Sequence, residues 1–246
     1  MLERELRQTK SLNAGDANTM VAESHDGTPI VGYWKIRGLG APIRMMFYFL
    51  KVPFADVTYE VQGEEPNFDV SSWADVKFTL GFELPNLPYL IDGDVKLTET
   101  AAIMQYIARK WRPSLLGSTA AEMGRVQMLW DGVSNLKKQS TVPCYMGSTA
   151  EEIIDTIRPL LAKIVELMGA SNWIAGDNLT WLDFYFAENL DMIDKLSDGL
   201  FYAEFPSLQT YWERFITQEG LGEAWCDDSK LMKTPFNNRM AKLLNM

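Results

Sequence analysis

A proline stands directly before an apolar strand in Asn86-Leu87-Pro88-Tyr89-Leu90-Ile91-Asp92-Gly93, and Thr98-Glu99-Thr100, which starts twelve residues beyond Asn86, opens a helix. Proline has no N–H to give a sheet ladder, which confines it to the first strand position or to a bulge. An X-Pro bond is also the one peptide bond that turns cis at small cost. A cis Leu87–Pro88 bond points the N–H and C=O of Leu87 outward, where the backbone of an extended peptide can pair with them. The helix start near Thr100 adds unpaired N–H groups and the positive end of a helix dipole, which suit a carboxylate. Together these features describe a socket for a small acidic peptide.

Composition narrows the chemistry. The chain has 246 residues, 47% of them hydrophobic, enough for a sizeable core in one large domain or two small ones. A net charge of −10 and a pI of about 4.7 argue against a nucleic-acid or anionic-membrane surface, which needs a basic patch. No apolar run approaches the ~18 residues of a membrane span. Cys144 and Cys226 lie far apart in no metal-ligand spacing, and two buried thiols in an intracellular chain are expected. The single histidine, His25, falls in a polar segment, which excludes a His-rich metal site and leaves a Ser/His/Asp hydrolase without its base.

The elements that position the socket follow from the pattern. Residues 1–28 are polar and mixed in charge and read as a flexible extension without the apolar core of a secretory signal. Pro29 to Trp34 is a short strand, broken at Gly38-Leu-Gly40, and Ala41 to Lys51 is apolar at helical spacing. Phe54 to Val61 alternates as a second strand, Gly63-Glu-Glu-Pro66 opens a loop, and one turn of helix is expected around Trp73. Pro88–Ile91 and Val95–Leu97 flank Asp92-Gly93, a two-residue hairpin signal, and Thr100 to Trp111 is a helix. One parallel crossover followed by a hairpin gives a small mixed sheet with helices on both faces, the thioredoxin-like topology, over residues 29–112. Residues 113–117 read as a linker, and 118–246 as an all-helical domain with helices at Glu122–Lys138, Ala150–Met168, Leu179–Lys195, Phe205–Thr217 and Leu221–Lys230. Leu179–Lys195 is apolar almost all round and reads as the buried central helix, started by Thr180 and Asp183 as a capping box. Pro143-Cys-Tyr145 reads as a helix-interrupting turn.

The segments Pro29-Ile-Val-Gly-Tyr-Trp-Lys-Ile-Arg-Gly-Leu39, Lys77-Phe-Thr-Leu-Gly-Phe82, Pro85-Asn-Leu-Pro-Tyr-Leu-Ile-Asp-Gly93, Ala102-Ile-Met-Gln-Tyr-Ile-Ala-Arg-Lys110 and Trp173-Ile-Ala-Gly-Asp-Asn-Leu-Thr-Trp-Leu-Asp183 are similar to the cytosolic glutathione S-transferases, mu class. Gln62-Gly-Glu-Glu-Pro66 resembles the extra loop of that class, and Pro235 to Ala241 its C-terminal segment. The resemblance runs from about Pro29 to the C-terminus and implies a thioredoxin-like lobe plus a helical lobe. It also implies glutathione as cosubstrate without a further cofactor or metal, a small hydrophobic electrophile as second substrate, a homodimer and a cytoplasmic location.

A thiol attacks only as its thiolate, and a free thiol has a pKa near 8.5, so such an enzyme must stabilise the anion. The resemblance makes Tyr33 the catalytic hydroxyl, donating a hydrogen bond to the sulfur. Trp34, Leu39, Trp73 and Lys77 match the residues holding the glycyl end of glutathione, with Val70 where the family has an arginine. Asn86 and Leu87 match the backbone-contacting positions beside Pro88. Glu99 and Thr100 match the γ-glutamyl positions. Asn135 stands where the family reaches across a dimer with an aspartate, and Asp131 is the fallback one turn earlier. Tyr145 matches a second catalytic tyrosine that lines the electrophile pocket, with Lys137 and Lys138 nearby making that pocket more polar. Leu84 replaces an aromatic dimer key. The first strand–helix loop holds Tyr33 and no cysteine, so disulfide exchange is disfavoured, and Cys144 reads as structural. The departures at Val70 and Asn135 keep two alternatives open: a non-catalytic glutathione or ligand binder with a structural dimer, and a glutathione-dependent isomerase using the same thiolate.

Overall fold

The computed structural model describes residues 11–13, 27–222 and 231–245. The sheet lobe contains β1 (Ser11–Asn13), β2 (Ile30–Trp34), α1 (Ala41–Leu50), β3 (Ala55–Tyr59), β4 (Gln62–Glu64), β5 (Asn67–Asp69), α2 (Ser71–Ala74), β6 (Tyr89–Asp92), β7 (Val95–Thr98) and α3 (Thr100–Trp111). After a 3-10 turn at Pro113–Leu116 come α4 (Ala120–Met146), α5 (Ala150–Met168), α6 (Trp181–Leu196), α7 (Phe201–Glu204) and α8 (Pro206–Ile216). A last 3-10 turn, Leu231–Lys233, opens the C-terminal strap.

The main sheet has the order β1-β3-β2-β6-β7. β2 and β3 are parallel, with α1 as their crossover, and Tyr33 sits opposite Thr58. β6 runs antiparallel to β2, and β7 to β6, which is the expected crossover-plus-hairpin arrangement. Asp92 pairs with Val95, so the two-residue turn is Gly93-Asp94, one position later than expected. Gly93, with φ 59, supplies the left-handed backbone the turn needs.

Three local readings are corrected. Ser11–Asn13 forms a strand parallel to β3, with Leu12 opposite Val57, where a flexible extension was expected. Such pairing depends on a distant edge that local composition does not reveal. Residues 1–10 and 14–26, including His25, lie outside the described residues. The segment around Gly63 to Pro66 forms the hairpin β4–β5 where a loop was expected. Pro143 does not interrupt α4: the helix runs on to Met146 and carries Tyr145 on its final turn. The expected helix Leu221–Lys230 falls mostly outside the described residues, as does Cys226.

Packing explains why the sheet lobe holds its shape. Tyr89 lies flat on β2 at Gly32, where a Cβ would stand 2.0 Å from the ring. Trp73, Phe82 and Tyr59 close around Tyr89 at centroid separations of 6.0, 5.0 and 6.3 Å. On the other face, Arg44 of α1 is buried and paired with Asp56 of β3, Nε to Oδ2 at 3.0 Å, while its Nη1 donates to the Ile36 carbonyl at 2.9 Å. The pair ties α1 to β3, and the bond to Ile36 ties it to the loop leaving β2.

In the helical lobe α6 is buried at almost every position, as its all-round apolar pattern requires. Its start is the expected capping box of Thr180 and Asp183. The Asp183 carboxylate accepts from the Thr180 N–H at 2.7 Å, and the Thr180 hydroxyl donates to the same carboxylate at 2.8 Å. Asp183 also accepts from the Ile174 N–H at 2.9 Å and from the Tyr211 hydroxyl at 2.8 Å. One buried side chain thus satisfies donors from a loop, a helix start and α8. Asp183→Ala strands those donors, each worth about 1–3 kcal/mol when left unsatisfied. We expect a loss of about 3–5 kcal/mol, read as a lower urea midpoint with an unchanged slope.

Candidate functional site

Tyr33 leaves β2 one residue before its end, and the loop that follows curls back over the ring. A Cβ on Gly38 would stand 2.7 Å from the phenol oxygen, and one on Gly40 2.6 Å from the ring, so both positions exclude side chains. The Leu39 N–H donates to Tyr33 Oη at 3.1 Å. Burial pushes the phenol up to about 12, against the lowering effects of the Leu39 N–H and the Arg44 charge; Tyr145 and Glu188 push it the same way as burial. At neutral pH Tyr33 therefore keeps its proton. One lone pair is engaged by Leu39, and the O–H remains to donate to an anion. α1 starts at Ala41, next to this loop, with its positive end on the same side.

The face expected to take a peptide backbone is built from the same buried cluster as Tyr33, which includes Leu87 and Trp73. The Leu87–Pro88 bond is cis, as expected, with both residues buried at the entry to β6. Asn86 is exposed, and its Nδ2 donates to Glu99 Oε1 at 3.2 Å. Glu99 has φ 69, a conformation that costs a non-glycine residue about 1–3 kcal/mol, and its side chain does not cap α3. The first in-helix bond is Ile103 N–H to the Glu99 carbonyl at 3.0 Å, so the N–H groups from Thr100 to Ala102 stand at the open helix end. Thr100 itself is buried.

At the other end of this face Trp73 is buried against Tyr59 and Tyr89, with centroids 5.2 and 6.0 Å away. Lys77 is half-buried, 5.4 Å from the Phe78 ring, and makes no ion pair among the described residues. Trp34 and Leu39 are half-buried and pack against the cluster that contains Trp73. Val70 is 39% exposed and brings no charge.

From the helical lobe, Tyr145 Oη accepts the Asn238 N–H at 3.2 Å, and burial raises its pKa. The strap of residues 235–242 crosses here. The Arg37 and Gly38 N–H groups donate to the Pro235 and Phe236 carbonyls at 2.9 and 3.1 Å, and the Lys242 N–H donates to the Cys144 carbonyl at 2.7 Å. Lys137 does not present its charge to an open pocket. It is buried, its Nζ lies 3.3 Å from Met192 Sδ, and burial lowers its pKa. Lys138 is exposed. Cys144 is buried with its thiol donating to the Ser140 carbonyl at 3.2 Å. Asn135 and Asp131 lie exposed on α4, and the structure brings neither of them to the other site residues.

Arg37 is a site-loop residue that the sequence reading passed over. Its Nη2 lies 2.6 Å from Glu188 Oε2 and its Nη1 2.6 Å from Asp191 Oδ2. The available signal was Glu188 itself, a carboxylate inside an otherwise apolar central helix, which demands a buried cation. Among the described residues no cluster of side chains could hold a metal, and no helix is long and apolar enough to cross a membrane.

A protonated tyrosine beside a helix N-terminus, facing a cis-proline strand in a thioredoxin-like lobe joined to a helical lobe, defines a class of thiol-peptide-binding proteins. Residues 29–109 match the family model described as glutathione S-transferase, N-terminal domain, and residues 142–219 the glutathione S-transferase C-terminal domain. The chain belongs to the glutathione S-transferase family. It is 34% identical to human (Homo sapiens) glutathione S-transferase Mu 3 over 222 residues, covering 89% of this chain and 96% of that protein. It is 36% identical over 217 residues to glutathione S-transferase Mu 1 of Bos taurus, covering 86% and 96%. Among solved structures, the glutathione S-transferase Blo t 8 superposes with a TM-score of 0.75 at 28% identity, covering 87% of this chain and 99% of that one. The chain is thus mu-class-like, a transferase acting with glutathione as cosubstrate and needing no separate cofactor.

The raised phenol makes a pH prediction. A folded pKa of about 12 against about 10 in the unfolded chain means that Tyr33's contribution is complete below pH 10 and is lost as pH rises toward 12. Tyr33→Phe removes that loss, about 3 kcal/mol over the interval. Urea unfolding free energies measured between about pH 9 and 12 should fall less steeply for the variant, and parallel curves would contradict the assignment.

Proposed function

We propose that Tyr33 donates its phenolic hydrogen bond to the glutathione thiolate, which then attacks a small hydrophobic electrophile. The observation that carries this reading is the phenol itself: buried, gripped by the Leu39 N–H, and holding its proton well above neutral pH. The sulfur forms a bond to carbon while the bond to the leaving group breaks and the pair departs with that group. With an epoxide, the C–O bond breaks instead and the new alkoxide takes a proton. Tyr145, at the mouth of the helical lobe, is the donor for that developing charge.

The tripeptide lies extended across the sheet lobe. Leu87 pairs with the cysteinyl backbone where the cis Pro88 presents it, and Asn86 braces that edge. Thr100 and the open N–H groups of α3 take the γ-glutamyl carboxylate, while Glu99 faces the α-ammonium. Lys77 and the Trp73 indole take the glycyl carboxylate, beside Trp34 and Leu39. The active form is a homodimer, supported by Leu84 and Phe78, which are 71% and 78% exposed on the sheet lobe. In that assembly Asn135 of α4 reaches the γ-glutamyl end bound by the neighbouring copy. The cytoplasm, whose thiol pool is kept reduced, is the fitting compartment.

One hydrogen bond to an anion is worth about 1.5–3 kcal/mol, which is about 1–2 pKa units. Tyr33→Phe should therefore raise the bound thiol's pKa by that amount, read from thiolate absorbance. The conjugation rate below neutral pH should fall roughly 10–100-fold and recover toward wild type in alkali. An unchanged thiol pKa and rate would remove the mechanism.

Val70→Arg restores a cation beside the glycyl carboxylate. An exposed ion pair gives at most about 1 kcal/mol, so KM for glutathione should drop about two- to fivefold with kcat unchanged. A KM that stays put would place the carboxylate elsewhere.

A further inference from the structure

We propose that Arg37 is a positioning residue for Tyr33. Held by Glu188 and Asp191 and covered by Phe236, it fixes the loop whose Leu39 N–H grips the phenol. The inference rests on the reading of Tyr33 as the thiolate donor and adds what keeps that donor in place.

The anchoring is dense. The Arg37 guanidinium forks: Nε and Nη2 both reach Glu188 Oε2, at 3.2 and 2.6 Å, and Nη1 reaches Asp191 Oδ2 at 2.6 Å. The Phe236 ring lies over its carbon at 3.9 Å. Its backbone is engaged at both ends. The N–H donates to the Pro235 carbonyl, and the carbonyl accepts from the Gly40 and Ala41 N–H groups at 3.0 and 2.8 Å. Gly38, at φ +42, turns the chain between Arg37 and Leu39. The residue that donates to the phenol is therefore two positions from a side chain clamped to α6 and to the strap.

Stability alone does not account for the cluster. Burying an arginine with two carboxylates carries a desolvation penalty, and apolar side chains of equal volume often serve as well or better. Glu188 Oε1 is buried and has no hydrogen-bond partner among the described residues, a further cost. What a forked guanidinium supplies is direction, because its rigid plane is fixed by two carboxylates at once, Glu188 on one side and Asp191 on the other. The groups that act on Tyr33 from the surrounding elements are Arg44 of α1, Tyr145 of α4, and Glu188 and Tyr185 of α6. Of these, Glu188 is also a partner of Arg37, so the clamp sets both the loop geometry and part of the field at the phenol.

Two variants test this while leaving the Arg37–Glu188 pair in place: Asp191→Asn, at a half-buried position, and Phe236→Leu, on the strap. Each should fold, by circular dichroism and thermal unfolding, and hold KM for glutathione within about twofold. Each should raise the bound thiol's pKa by about half a unit and lower kcat near pH 6.5 about threefold. In a Tyr33→Phe background neither should move the thiol pKa further, because the effect acts through the phenol. Equal shifts in both backgrounds would make the cluster a general structural element and overturn the proposal. So would an unshifted thiol pKa in both variants when Tyr33→Phe alone shifts it. An unshifted pKa in Tyr33→Phe itself would fell the phenol's role first, and is read from that single variant.

Discussion

The hydrogen bond from Leu39 to the Tyr33 oxygen is the contact around which the sheet lobe is arranged. A buried phenol without a partner is costly, and one with its acceptor side satisfied by a backbone N–H becomes a donor of fixed direction. Several otherwise unrelated features serve that geometry. Gly38 and Gly40 leave room for the ring, Arg44 braces the loop's Ile36 carbonyl, and β2 holds Tyr33 opposite Thr58 through its parallel ladder. The rest of the site, from cis Pro88 to the open end of α3, is laid out at distances set by the same sheet.

Two kinds of order support this arrangement. In the sheet lobe it is close packing, with Tyr89 on Gly32 and an aromatic ring set around it. In the helical lobe it is buried polar chemistry. Asp183 gathers donors from three segments, while Glu188 and Asp191 receive Arg37 across the gap between lobes. The lobes are thus joined by charge and hydrogen bonds as well as by apolar contact, and α6 is the element common to both.

Legibility in the sequence follows the range of the interaction. α3 and α5 were read to the residue, because apolar spacing and helix-start chemistry are local signals. Pro88 was legible for the same reason, since a proline before a strand has few places to go. β4–β5 was missed because its three-residue strands are nearly all exposed and show no alternation. The continuation of α4 through Pro143 is not legible locally, because a proline's own cost argues for a break, where packing of Cys144 against α6 and the strap holds the helix. Arg37 and Glu188 lie 151 positions apart, and only the unexplained carboxylate in an apolar helix pointed to the pair. Asn135 and Val70 are both exposed, and what either does depends on a ligand and a second subunit that composition does not describe.

The pairing of Ser11–Asn13 with β3 has a consequence of its own. In an open sheet the outermost strand offers a row of bare amides and carbonyls to any passing chain, and proteins commonly blunt such margins with charge, proline or a covering segment. Here the chain's own leading residues occupy that margin, and β3 is buried along its full length. The margin that the sheet then presents is a selvedge three residues long, shorter than the five-residue β3 it covers, and a short edge is a poor template for a further chain.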